Sequence, residues 1–205
     1  MDSRGRLVIV GAGGLGRETL DAALAAGLEV AGFVDEHRAG QQVRGLSVLA
    51  LDSVRVGERY VIGIADPTVR GRLAGELDAR GGRAVGLRHP GAIVAPETTM
   101  GAGSIVLGGA YVSSNVRTGA HCQVHYNATV GHDTVLGERV SIFPGANVAG
   151  AVVCEDSVTV GSGAVVLQGL RLGARCFVGA GAVVTRDVPA GQVVVGVPAR
   201  RLARG

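Results

Sequence analysis

Residues 130–142 read Val130-Gly-His-Asp-Thr-Val-Leu136-Gly-Glu-Arg-Val-Ser-Ile142, with an apolar residue at every sixth place and small or polar residues between. Followed outward, this register runs without insertion from Val94 to Val184, and its sixteen leading positions are apolar except for Thr118. Four places after each leading residue lies a second one that is never charged and never large, as in Ala128, Thr134, Val140 and Ala146. Fifteen glycines between residues 94 and 189 occupy only the second, third and fourth places of the hexads. Two-residue flats with inward side chains therefore alternate with tight corners, where glycine is free to adopt positive φ. Each such coil buries its apolar side only against the next, so the pattern predicts a parallel β-helix. Its coils should stack about 4.8 Å apart, as strands do in any sheet. Cys122, Cys154 and Cys176 all fall on inward places, which makes them core filler rather than nucleophiles.

Upstream the period changes. Leu7-Val-Ile-Val-Gly11 is a short, wholly apolar run of the kind a buried parallel strand needs. It leads into Gly11-Ala-Gly-Gly-Leu-Gly16 and a helical pattern from Arg17 to Gly27. Val30–Val34 reads as a second strand ending in Asp35-Glu36, Tyr60–Ala65 as a third, and Pro67 opens a helix to about Arg80. A last strand is expected near Ala84–Leu87, giving β-α-β-β-α-β, an α/β half-Rossmann unit. Domain limits of 1–88 and 89–205 follow. The glycines match the G-x-G-x-x-G spacing between strand and helix, which lets a phosphate approach the backbone at a helix N-terminus. The same glycines also serve a tight β-α turn without any ligand. A dinucleotide fold has two such halves, so one nucleotide or sugar nucleotide fits better than NAD.

Composition narrows the chemistry. The chain has 205 residues, 35 glycines, 3% aromatic residues and a formal net charge of +3, and all twenty of its basic residues are arginine. Schiff-base, P-loop and general-base lysines are therefore excluded. So few rings and so small a charge give no footing for nucleic-acid binding. The N-terminus shows no apolar leader, no run approaches a bilayer span of about 18 residues, and three cysteines without CxxC spacing suggest a reducing compartment. A cytoplasmic protein with no membrane partner is expected.

Without lysine, histidine is the natural base at neutral pH. His37 and His89 lie in or beside the first unit, and each reads as a loop residue. His121, His125 and His132 lie on the coils. His132 takes an outward corner place and Asp133 follows it, so a carboxylate stands ready to orient the imidazole. An exposed corner histidine is equally compatible with a merely solvated side chain. Adding the coil repeat of eighteen to 132 gives Gly150, and the same step joins Ser162 to Ala180.

Val130-Gly-His-Asp-Thr-Val and Val178-Gly-Ala-Gly-Ala-Val resemble the repeats of the hexapeptide-repeat acyltransferases, and Val195-Gly-Val-Pro-Ala-Arg200 resembles their usual closing segment. Together with Gly11-Ala-Gly-Gly-Leu-Gly16 and Phe33-Val-Asp-Glu36, the chain from about 6 to 202 resembles the sugar O-/N-acyltransferase group. That group includes bacterial nucleotide-4-amino-sugar N-acetyltransferases and sialic acid O-acetyltransferases. The resemblance implies a left-handed parallel β-helix, a homotrimer with active sites between neighbouring subunits, and acetyl-CoA as co-substrate without a metal. It implies His132 as general base, Asp133 as its modulator and the N–H of Gly150 as the oxyanion donor. Gly13, Gly14, Leu15, Asp35, Glu36 and Ala65 would meet the nucleotide sugar. Ser141, Gly150, Ser162, Ala180 and Arg200 would meet coenzyme A, with Arg201 beside Arg200. Ser141 and Leu15 stand where relatives often carry histidines, and Ala65 stands for a glycine. The expected activity is N-acetylation of a UDP- or dTDP-4-amino-sugar, with O-acetylation of a hydroxyl as the alternative. A zinc lyase of carbonic-anhydrase type would need His121, His125 and His132 to converge, yet they hold different hexad places. An NAD-dependent oxidoreductase and a non-catalytic binding solenoid are the remaining alternatives.

Overall fold

The computed structural model describes residues 6–202. Its N-terminal unit is a six-stranded sheet in the order β3-β4-β2-β1-β5-β6. The strands are β1 (Leu7–Val10), β2 (Val30–Val34), β3 (Gln42–Val43), β4 (Leu46–Leu49), β5 (Arg59–Ile62) and β6 (Arg83–Ala84). Helix α1 (Gly14–Ala25) joins β1 to β2 and helix α2 (Pro67–Ala79) joins β5 to β6. All pairings are parallel except β3 with β4. β1 is sealed on both faces and has β2 on one side and β5 on the other. That arrangement opens a crevice at the carboxyl ends of the strands, where open α/β sheets hold ligands.

Two details depart from the sequence pattern. The β3–β4 hairpin was not expected, because its strands are short and half polar; its signal is Arg44-Gly45, which turn with φ of 53° and 77°. The strand expected over Ala84–Leu87 is split. Arg83–Ala84 completes the N-terminal sheet, whereas Leu87–Arg88 pairs with Ile105–Val106 in the second unit. The solenoid thus begins at Leu87, just inside the limit drawn at 88.

The second unit is a left-handed parallel β-helix. Its three faces carry Ile105, Gln123, Ser141, Thr159 and Phe177 on the first, Tyr111, Thr129, Asn147, Val165 and Val183 on the second, and Arg117, Val135, Val153 and Arg171 on the third. From Leu87 to Val184 the pairing joins a residue to the one eighteen places on, as Gln123 to Ser141, whereas the last rung, Phe177 to Val193, steps sixteen. Every leading hexad residue from Val106 to Val184 is buried, and the three cysteines lie among them or on the second inward column. Val94 and Met100 are only partly covered, because they close the end of the stack.

Glycine serves the coils in two separate ways. All fourteen fourth places from Gly103 to Gly181 have φ between 54° and 75°, including the non-glycine residues Asn115, His121, Asn127, Asp133 and Arg139. Second-place glycines have ordinary φ, and there the expectation of positive φ is corrected. A Cβ on Gly101 would lie 2.3 Å from the Gly119 carbonyl carbon, and one on Gly173 would lie 2.4 Å from Ala190 N. Those glycines let successive coils touch. Among the described residues no helix is long and apolar enough to cross a membrane.

Candidate functional site

His132 stands at the corner between the second and third faces, with about half of its side chain exposed. Its Nδ1 lies 2.8 Å from Asp133 Oδ2. Asp133 takes the left-handed corner conformation, φ 59°, which turns its side chain beside the preceding imidazole. Its other oxygen accepts a 2.6 Å hydrogen bond from Asn115 Nδ2, one coil earlier. The Asn115 bond first and the His132 contact second hold the Asp133 carboxyl below the usual carboxylate range. An ionised carboxylate only accepts, so Nδ1 carries the ring proton and Nε2 keeps a lone pair facing outward.

Gly150 lies one coil above. A Cβ there would come within 2.5 Å of His132 Nε2, so the imidazole covers its α-carbon. The Gly150 carbonyl accepts from Gly169 N at 3.0 Å, while its own N–H makes no hydrogen bond among the described residues. A base nitrogen and an unpaired amide donor are therefore adjacent, as acyl transfer from a thioester requires.

Ser162 and Ala180 are exposed and stacked at the corner between the first and second faces, where Gly181 N donates to the Ser162 carbonyl at 2.9 Å. One chain thus does not bring this column to the His132 corner. Arg200 and Arg201, with Arg186, line a cleft of about 390 Å³ at the end of the solenoid. His121 and His125 turn inward toward the N-terminal unit, at two other corners from His132. His121 stacks on Tyr60 with ring centroids 6.2 Å apart, and His125 meets Phe143 edge-on at 5.0 Å. Burial, and then the Arg70 charge, push His125 down to about 4. Among the described residues no group of three His, Cys, Asp or Glu could hold a metal.

In the N-terminal unit, Gly13 caps α1 and Gly14 begins it, so the helix starts earlier than its sequence pattern suggests. Gly16 allows a close approach: a Cβ there would strike the Gly11 carbonyl oxygen at 1.9 Å. Asp35 Oδ2 accepts from Ala12 N at 3.0 Å and Oδ1 from His37 N at 3.1 Å, which ties the glycine loop to the end of β2. Asp35 and Glu36 share a crevice of about 110 Å³ with Gly11, Ile64 and Arg72. Gly13, Gly14 and Leu15 do not line it. Leu15 packs instead on the apolar cluster containing Ile105 and Leu107 of the solenoid. Ala65 borders a second cleft, of about 330 Å³, between the β5–α2 loop and Phe143, Thr159 and Phe177.

Ser141 requires a correction. It has no exposed surface, and its Oγ accepts from Arg70 Nη2 at 2.9 Å. A hydroxyl enclosed in that way is closed to an acyl carrier. Arg70 itself escaped the sequence reading, which treats a helix arginine as solvated. It is completely buried at the junction of the two units and, among the described residues, bonds only neutral acceptors. Burial lowers its guanidinium to about 10, which leaves it charged at neutral pH.

Residues 6–77 match the family model of the PglD N-terminal domain. Among curated proteins the chain is similar to GDP-perosamine N-acetyltransferase of Escherichia coli O157:H7, 35% identical over 121 residues. That alignment covers 54% of this chain and 55% of the relative, about half the length of each. A histidine-to-asparagine variant of perosamine N-acetyltransferase from Caulobacter crescentus, solved with CoA and GDP-perosamine, superposes with a TM-score of 0.92. It is 30% identical over 98% of both chains. The acetyltransferase domain of PglB from Neisseria gonorrhoeae FA1090, solved with acetyl coenzyme A, gives a TM-score of 0.90. It is 30% identical, covering 96% of this chain and 98% of the other.

Proposed function

The chain belongs to the hexapeptide-repeat sugar acyltransferases, and from that premise we propose that it transfers the acetyl group of acetyl-CoA to the amine of a nucleotide-linked amino sugar. The observation that carries the reading is the corner where His132, oriented by Asp133, covers Gly150. His132 Nε2 takes the proton as the amine nitrogen attacks the thioester carbonyl. The oxygen of the tetrahedral intermediate gains negative charge beside the Gly150 N–H. The carbon–sulfur bond then breaks, and coenzyme A leaves as the thiol with the proton returned from the imidazole. General-base catalysis of this kind contributes roughly 10²–10⁴-fold, and an oxyanion donor a comparable factor.

We assign the N-terminal unit to the nucleotide sugar. Gly13 and Gly14 offer amide donors at the start of α1, Asp35 and Glu36 rim the crevice, and Ala65 and Leu15 border the path toward the solenoid. Ser162 and Ala180 are assigned to the pantetheine arm, and Arg200 and Arg201 to the phosphates of coenzyme A. The His132 and Ser162 columns occupy different corners of one chain, which supports a homotrimer whose active sites lie between neighbouring subunits. We place the reaction in the cytoplasm, a reading that the three free cysteines support.

The test is thiol release from acetyl-CoA with a panel of GDP-, UDP- and dTDP-linked amino sugars and their hydroxyl counterparts. Release with an amino sugar and its loss in His132→Ala are the expected results. Full turnover by His132→Ala would overturn the base assignment. Release with only the hydroxyl sugars would replace N- by O-transfer.

A further inference from the structure

Arg70 projects from α2 into the junction between the two units, where nothing of it reaches solvent. Its Nη1 donates to the Ile64 and Ala65 carbonyls, both at 2.9 Å. These belong to the β5–α2 loop, which closes one side of the acceptor crevice. On the other side its bonds go to two points of the solenoid. Nε reaches the His121 carbonyl at 3.0 Å and Nη1 reaches Gln123 Oε1 at 3.0 Å. Nη2 reaches the Arg139 carbonyl at 2.6 Å and Ser141 Oγ at 2.9 Å. Gln123 and Ser141 are register partners, so these contacts mark the beginning and the end of one coil. That coil is the one carrying His132 and Asp133. Gln123 Nε2 strengthens the same junction by donating to the Ile62 and Ile64 carbonyls at 2.9 and 3.1 Å.

Among the described residues no carboxylate bonds the guanidinium. A buried cation bonded only by neutral acceptors is costly, and a simple apolar junction would hold two domains together without that cost. What the planar fork supplies is a fixed direction for six acceptors at once, which neither lysine nor an apolar side chain reproduces.

We propose that Arg70 is a positioning residue, which pins the acceptor-binding loop at Ile64–Ala65 to both ends of the coil that carries the base. The inference rests on the function proposed above, and it concerns how the amino sugar is presented to the site rather than the acyl transfer itself.

Arg70→Lys and Arg70→Met test it, with KM measured separately for the nucleotide amino sugar and for acetyl-CoA. Amide exchange is followed at residues 62–66 in the same proteins. KM for the sugar should rise by about tenfold or more while KM for acetyl-CoA stays within about twofold, and the loop amides should exchange faster. Partial unfolding alone lowers the active fraction, and so kcat, without moving either KM. Unchanged KM values, or two KM values rising together, would overturn the proposal. If neither variant folds, Gln123→Leu keeps the guanidinium and removes the second clamp, and it should move the same sugar KM in the same direction. No movement there would also overturn the proposal. If the wild-type protein acetylates none of the sugars, the functional reading fails by itself. Calorimetric affinity for GDP and UDP, with the exchange rates, then decides the role of Arg70: equal affinity and equal exchange in Arg70→Lys count against it.

Discussion

The imidazole of His132 rests on the α-carbon of Gly150, one coil further along, so closely that a methyl group there would sit 2.5 Å from Nε2. Only the absence of a side chain at residue 150 lets base nitrogen and amide donor share one corner. Gly150→Ala meets no backbone strain, since that glycine does not have positive φ, so the imidazole must swing aside. We expect kcat to fall by about 100-fold or more with the melting temperature nearly unchanged. Steady-state kinetics with a thermal melt checks this, and unimpaired turnover would contradict the assigned geometry.

Asn115 helps to keep Asp133 ionised. Its amide is the first cause of the lowered Asp133 pKa, with the His132 contact second. The native carboxyl therefore stays ionised at pH values where an ordinary aspartate is already taking up its proton. In Asn115→Ala that pKa should rise toward the ordinary value. Carboxyl titration followed by NMR in both proteins gives the direct comparison, and a downward or absent shift would count against it.

The two kinds of coil glycine should differ in how much substitution costs. Gly145 has φ 66° and open space around its α-carbon, and asparagine holds the same place at 115 and 127. Gly145→Asn should therefore cost about 1 kcal/mol or less. Gly173→Ala forces a methyl to within 2.4 Å of Ala190 N and should cost about 2 kcal/mol or more, because backbone cannot give way as a side chain can. Chemical denaturation of the two variants ranks them.

The thiols should be silent in the native protein. Burial pushes Cys122 up to about 11 and Cys176 up to about 12, and it raises Cys154 further still. Iodoacetamide at pH 8 should label none of the three until denaturant is added, and acetyl transfer should survive the treatment. Labelling of the folded protein with loss of activity would reopen an acyl-cysteine route.

At the end of the solenoid, Arg200→Ala combined with Arg201→Ala should raise KM for acetyl-CoA by about tenfold at low salt and by less at high salt. The wild-type preference for acetyl-CoA over its 3′-dephospho form should shrink in the same variant. An unchanged preference would place the phosphate elsewhere.

The hexad register was legible without coordinates because one requirement recurs at every coil: an inward apolar residue, then a corner. The same register placed the cysteines inside, His132 outside and Gly150 above it, since counting by eighteen is counting coils. The glycine loop and the order of the N-terminal strands were legible too, because each depends on residues adjacent in sequence. Contacts between the two units were not. Arg70 is an ordinary helix arginine by pattern, and Ser141 an ordinary outward residue, until the N-terminal unit covers the first face and encloses both. The same covering leaves Leu15 packed on the apolar cluster that spans both units rather than lining the crevice. The sequence by itself determined the two architectures and which residues meet at the His132 corner, because local periodicity specifies backbone geometry. Tertiary structure alone decided which polar groups are buried at the junction and how the acceptor loop is tied to the His132 coil. Those outcomes depend on pairs of residues 51 to 71 places apart, from Arg70 and His121 to Arg70 and Ser141, which no short-range pattern records.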